Sequence, residues 1–232
     1  MPYHVVIPAA GNGFRYGSLV PKQYLSLAGK PVLQHAIDRM ASSFPNSPIH
    51  VVLAADDHWF ENAIANQANV RALRRGGETR EQTVRNAIEA LVEATNDDWI
   101  VVHDAVRPCV DRASCLRLKL ELEHDPVGGL LAIPISDTLK VVNDGWRVLR
   151  SLQRESVWRA QTPQMFRHGV LRKALLNAGI DRWTDEAGAI EALGLQPRVV
   201  LGSGSNVKIT YPGDLDFAAA VLSGQESCAE AD

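Results

Sequence analysis

Four short stretches of this chain carry residues that could do chemistry; two of them are nearly bare backbone, and the first, with its two cations, describes a site for a polyphosphate. The first is Pro8-Ala9-Ala10-Gly11-Asn12-Gly13, followed by Arg15 and the triplet Pro21-Lys22-Gln23. Where no side chain intervenes, backbone N–H groups approach an anion closely, and the two cations neutralise what the amides do not. The second is Gly76-Gly77-Glu78-Thr79-Arg80, a bare loop leading into a helix. The third is His103-Asp104-Ala105-Val106-Arg107-Pro108. A carboxylate at the end of a buried strand, with an arginine three residues on, stands where open α/β sheets take their ligands. Asp104 can hold Mg2+ and Arg107 can clamp a phosphate; alternatively the two form a local ion pair that closes the turn. The fourth is Lys208, between Val207 and Ile209. In a strand it points away from both, towards solvent or towards a phosphate.

Other chemistries fit less well. A Walker A loop needs Gly, four residues and then Gly-Lys-Ser/Thr, and nothing after Gly11 matches. A dinucleotide fingerprint needs G-x-G-x-x-G, and Gly17 comes one residue late; the acids Asp56 and Asp57 also lie beyond the end of the second strand. A nicotinamide-dependent oxidoreductase is therefore disfavoured. No G-x-S-x-G elbow and no cysteine–histidine pairing is present. His103 has no second histidine at metal spacing, which favours a packed role over a ligating one.

These stretches need a scaffold, and the chain has the length for it: 232 residues suit one large α/β domain. The net charge of −3 gives no global basic field for nucleic acid or membrane. No apolar run approaches a membrane span, and the first strand begins too early for a signal peptide. Cys109, Cys115 and Cys228 make no C-x-x-C pair, which points to reduced thiols and a cytoplasmic protein.

Val5-Val6-Ile7 reads as a buried strand ahead of the first loop. Pro31 opens a helix whose stripe is Val32, Leu33, Ala36, Ile37, Met40 and Phe44. Strands are expected at 49–55, 70–73, 99–102 and 128–135. Helices are expected near 58–67, after Arg80 with Val84, Ile88, Leu91 and Val92 on one face, and at 112–124 and 169–177. Thr184 is the expected cap of a further helix, 199–201 and 207–209 are late strands, and a final helix runs from Tyr211 to about Leu222. Gln161-Thr162-Pro163-Gln164 reads as a polar turn. Segments 138–142 and 146–149 flank Asn143-Asp144-Gly145 and predict a β-hairpin that breaks the strand–helix alternation. An isolated hairpin is marginally stable, so it is expected to pack on the domain or on a second subunit. The whole is expected to be a single domain, 1–232, with 137–158 as an arm and 224–232 as a frayed polar tail.

In this order, PAAGNGFR at 8–15, PKQYL at 21–25, GGETREQTV at 76–84, HDAVRP at 103–108, DTLK at 137–140, QTPQ at 161–164, TDEA at 184–187 and NVKIT at 206–210 resemble the 2-C-methyl-D-erythritol 4-phosphate cytidylyltransferase family. The resemblance implies a Rossmann-like nucleotidyltransferase fold, a mostly parallel sheet flanked by helices with a protruding dimerisation arm. It implies transfer of CMP from CTP to methylerythritol phosphate, with Mg2+ as cofactor. Ala9, Ala10, Gly11, Gly13, Gly77, Arg80, Thr83 and Ala105 would line the CTP pocket. Arg15, Lys22 and Lys208 would be catalytic. Asp104, Arg107, Thr138 and Thr162 would bind the acceptor, with Arg154 reaching across a homodimer. The residue before Asn206 is often acidic in the family and is Ser205 here, which leaves open what orients Lys208. Ribitol-5-phosphate cytidylyltransferase and a non-catalytic nucleotide-binding regulator are the alternative readings.

Overall fold

The computed structural model describes residues 2–11, 20–177 and 183–229; the readings on Gly13 and Arg15 lie outside the described residues. Two short strands near the start, β2 (Ser26–Leu27) and β3 (Lys30–Pro31), pair with each other. The main strands are β1 (Tyr3–Pro8), β4 (Ile49–Val52), β5 (Val70–Leu73), β6 (Trp99–Val102), β7 (Gly128–Pro134), β10 (Trp158–Arg167) and β11 (Arg198–Leu201). These form one sheet in the order β11-β7-β10-β6-β1-β4-β5. Strand β10 runs antiparallel to both of its neighbours, and the other pairings are parallel.

The pleat sorts β1 between two cores. Val5 and Ile7 pack under α1 (Val32–Ser43) and α4 (Arg112–Leu122), through Leu33, Ile37, Met40, Leu118 and Leu122. Val6 faces α3 (Arg80–Ala90) and α5 (His168–Asn177), through Val84, Ile88, Leu171 and Leu175. With both faces covered, the strand must be apolar throughout, which is why Val5-Val6-Ile7 carries no alternation. A third cluster joins Leu27, Val32 and Val106 to α7 (Gly213–Ala229). After β1 the chain moves outwards to β4 and β5, then returns across β1 to β6. The carboxyl ends of β1 and β6 therefore diverge at a switch point, and a crevice opens there.

Several expectations need correction. Segment 207–209 is not a strand; Ile209 instead donates its N–H to Val106 O (2.9 Å), laying the segment beside the extension of β6. Gln161–Gln164 lies within β10, where the register against β7 shifts between Ala160 and Gln164. Helix α2 (Phe60–Ala63) is a single turn. Helix α3 ends at Ala90, so Leu91 stays buried while Val92 swings out to 86 % exposure. The cap of α6 (Glu186–Glu191) is Asp185, whose carboxylate accepts from Gly188 N–H, and not Thr184. Helix α7 continues past Leu222 to Ala229. The hairpin forms as expected, from β8 (Lys140–Val142) and β9 (Val148–Ser151). Trp146, Val148 and Leu149 on it are exposed.

Candidate active site

The described start of the first loop, residues 8–11, is bonded from behind. Ala9 N–H continues the ladder to Val52 O (2.8 Å), and the Gln23 amide donates to Ala9 O (2.9 Å) and Gly11 O (3.1 Å). Gln23 is buried, so these two carbonyls are drawn away from the crevice. Gly76 of the second loop lies against the first. A Cβ on it would stand 2.4 Å from Ala10 Cβ and 2.8 Å from Leu53 O, so only glycine lets the loops approach this closely. Thr79 then caps α3 by accepting from Gln82 N–H, and Thr83 Oγ1 accepts from Gly77 N–H (3.0 Å).

These elements enclose a cleft of about 480 Å³ whose lining brings together Ala9, Ala10, Gly11, Lys22, Gly77, Arg80, Thr83, Asp104, Ala105 and Lys208 with Gln23, Glu78 and Thr79. A smaller pocket of about 150 Å³ adjoins it, lined by Arg107, Gln161, Thr162, Gln164, Thr184 and Asp185. Arg80, Asp104 and Lys208 form the wall common to both. Thr138 and Arg154 lie exposed on the arm side, outside both pockets, and Arg154 donates to Ser136 O.

Asp104 is the centre of the shared wall. Its Oδ1 pairs with Arg80 Nε at 2.9 Å; its Oδ2 pairs with Lys208 Nζ at 2.9 Å and more distantly with Arg107 Nε at 3.5 Å. Burial alone would raise this carboxyl, but Arg80, Lys208 and Arg107 outweigh burial and hold it well below the usual carboxylate range. Asp104 thus orients Lys208, answering the question raised by Ser205, whose hydroxyl pairs with that of Ser203. Segment 206–209 is fixed further by Arg107 Nη1 on Asn206 O (2.7 Å), Asn206 Nδ2 on Thr162 O (2.8 Å) and Lys22 Nζ on Ile209 O (3.1 Å). Lys22 and Lys208 both line the larger cleft. The local Asp104–Arg107 ion pair is present, and Arg107 also lines the smaller pocket.

The expected metal site at Asp104 does not fit these donors. Both oxygens of its carboxylate already accept from cations, and three positive charges surround it. Among the described residues no group of three histidine, cysteine, aspartate or glutamate side chains converges to hold an ion.

His103 is scaffold. Its Nε2 meets Arg107 O (3.0 Å), which can only accept, so Nε2 carries the proton. Its Nδ1 then accepts from Thr162 Oγ1 (3.0 Å), while Thr162 Oγ1 accepts from Asp104 N–H (3.0 Å). Burial lowers the His103 pKa to about 4, consistent with a neutral ring. The Thr162 hydroxyl, expected to bind acceptor, is largely committed to this chain of hydrogen bonds.

Sequence reasoning gave no role to Glu186. It is fully buried and accepts from Arg80 Nη1 (2.7 Å) and Nη2 (3.1 Å). Burial raises its carboxyl more than Arg80 lowers it. The available signal was position: Ala189 and Ile190, three and four residues on, are buried on the same helix face.

The chain is similar to known proteins of one family. The sequence model of the family described as 2-C-methyl-D-erythritol 4-phosphate cytidylyltransferase matches residues 3–224. A protein of that name from Dechloromonas aromatica (strain RCB) is 45 % identical over 226 residues, covering 96 % of this chain and 98 % of the relative. Another, from Laribacter hongkongensis (strain HLHK9), is 48 % identical over 219 residues, 94 % of each chain. Among solved structures, the Francisella tularensis enzyme of the same name superposes with a TM-score of 0.82 at 36 % identity, covering 95 % of this chain and all of that one. A 4-diphosphocytidyl-2C-methyl-D-erythritol synthase superposes with a TM-score of 0.85 at 33 % identity, covering 95 % and 98 %. The chain is a nucleotidyltransferase, and it belongs to the 2-C-methyl-D-erythritol 4-phosphate cytidylyltransferase family.

Proposed function

We propose that this chain transfers CMP from CTP to 2-C-methyl-D-erythritol 4-phosphate, releasing pyrophosphate, with the nucleotide in the larger cleft and the acceptor in the smaller. The observation that carries this reading is the common wall: two adjoining pockets meet at Arg80, Asp104 and Lys208. Two phosphate-bearing ligands placed there would meet across one cluster of cations.

The acceptor phosphate attacks the α-phosphorus of CTP. A new P–O bond forms as the bond to the bridging oxygen breaks, and pyrophosphate leaves with the electron pair. A phosphate monoester has its second pKa near 6, so it is largely dianionic at neutral pH and needs no general base. His103, neutral and with both nitrogens engaged, is not one. What remains is alignment and charge neutralisation. Lys22 and Lys208 serve the triphosphate and the charge that grows on the leaving oxygen. The same role is assigned to Arg15. Arg107 serves the acceptor phosphate at the floor of the smaller pocket. These roles rest on this chain's own cations.

The arm extends the proposal to a homodimer. Trp146, Val148 and Leu149 leave exposed apolar surface on the arm, and Arg154 of one protomer would complete its partner's acceptor pocket. Mixing inactive Lys22→Ala with inactive Arg154→Ala subunits is expected to regenerate activity; none, with subunit exchange verified, refutes the trans role. The two buried free thiols, Cys109 and Cys115, pushed up by burial to about 11, suit the cytoplasm as compartment. Among the described residues no helix is long and apolar enough to cross a membrane.

Pyrophosphate release with CTP and either methylerythritol 4-phosphate or ribitol 5-phosphate tests the reaction. Release with the first alone is expected. Release with the second alone keeps the mechanism and overturns the acceptor; CTP binding without turnover returns the chain to a nucleotide-binding regulator.

A further inference from the structure

We propose that Glu186 is a positioning residue for the reaction: it holds Arg80 end-on, so that Arg80 spends only its Nε on Asp104 and the second oxygen of Asp104 remains for Lys208. The inference rests on the function proposed above. Glu186 lines neither pocket, so whatever it does to substrates it does through Arg80.

The donor count carries the argument. A guanidinium has five N–H groups in one plane. Here Nη1 and Nη2 each give one to the two oxygens of Glu186, a fork on a fork, and Nε gives its only one to Asp104 Oδ1. Asp104 Oδ2 is left to Lys208 Nζ at 2.9 Å, with Arg107 standing off at 3.5 Å. A fully buried carboxylate is costly unless a charge answers it, so Arg80 is held firmly. If Glu186 loses its charge, Arg80 gains more by turning side-on and taking both oxygens of Asp104 through Nε and Nη2. Lys208 then loses its anchor. Its side chain is 42 % exposed, so it can move towards water. One carboxylate that touches no substrate thereby sets where a catalytic ammonium stands.

A merely structural Glu186, anchoring α6, makes a different prediction. The test is a cycle of wild type, Glu186→Gln, Lys208→Ala and the double variant, with folding followed by circular dichroism. Glu186→Gln is expected to lower kcat about 10- to 100-fold, as a small misplacement of a catalytic group does, with little change in KM for CTP. In the Lys208→Ala background the same substitution is expected to cost less than about threefold, because the group it positions is gone. Lys208, labelled by an amine-reactive reagent and quantified by mass spectrometry, is expected to react several-fold faster in Glu186→Gln. A wild-type kcat, an equal cost in both backgrounds, or unchanged labelling overturns the inference. If Glu186→Gln does not fold, Glu186→Asp keeps the charge but draws Arg80 back by one methylene; the same cycle and labelling apply, with smaller effects. Labelling needs no turnover, so an inactive wild type would refute the proposed function while this inference is still decided.

Discussion

Asp104→Asn removes the anion that three cations share and keeps its shape. At an effective dielectric near 20, contacts of 2.9 Å to Arg80 and to Lys208 are each worth about 6 kcal/mol before desolvation. Most of that does not appear as stability. Arg80 keeps Glu186, and Lys208 can reach water. Arg107 cannot; it is buried, it keeps its bond to Asn206 O, and it would face a neutral amide at position 104 with which it can form no ion pair. The net cost is therefore set at the low end for breaking a buried pair, about 3 kcal/mol. For a chain of this size that lowers Tm by about 6–12 °C. The pH dependence has a definite sign. The folded-state carboxyl lies well below its ordinary value of 3.8, so its stabilisation is present above that value and is lost only as pH falls through the folded one. The gap in Tm between wild type and variant is thus expected to be constant from about pH 5 to 8. Thermal unfolding followed by circular dichroism measures both. A drop below about 3 °C, or a gap that changes with pH across that range, refutes the reasoning.

Other expectations follow from separate parts of the molecule. Lys22→Ala is expected to fold normally and to lower kcat by the equivalent of about 3–4 kcal/mol, with a smaller effect on KM for CTP; near-normal kcat in steady-state assays removes Lys22 from the chemistry. Gly76→Ala drives a Cβ into Ala10 and Leu53 O, and should cost about 1–3 kcal/mol while raising KM for CTP as the loops part; chemical denaturation and kinetics check both. Burial, with His4 and Arg71, lowers His50 to about 4. Its share of stability is full above the ordinary 6.5 and is lost as pH falls from there towards 4. His50→Leu should therefore lose less Tm than wild type between those values, and an identical loss would count against a buried neutral His50.

Much of the fold was legible because it is written in local pattern. Trp99–Val102 and Val70–Leu73 read as strands with the bounds they have, and the Pro31 helix opens where its stripe begins. Asn143-Asp144-Gly145 announced the hairpin. The failures fall where distant contacts decide. Strand β10 looked like a turn because Gln161-Thr162-Pro163-Gln164 is polar, yet those side chains are buried, and the three polar ones are bonded to Ser203, His103 and Asp185. Segment 207–209 looked like a strand, but the contacts that hold it and its neighbour Asn206 are single bonds to Val106, Arg107 and Lys22 and not a ladder.

The candidate site divides the same way. The sequence by itself determined which residue types were available: bare loops, Lys22, Asp104, Arg107 and Lys208, each next to a strand end or turn. Only the tertiary structure decided how their charges pair. Arg80 meets Glu186 across 106 positions, and Asp104 chooses Arg80 and Lys208 over the nearby Arg107 for its closest contacts. No local rule predicts this, because ion-pair choice in a buried cluster depends on which donors the sheet order brings within about 3 Å and which carboxylates it has removed from water. That order, with β6 lying between β1 and β10, also turned a suspected metal ligand into the hub of a cation cluster.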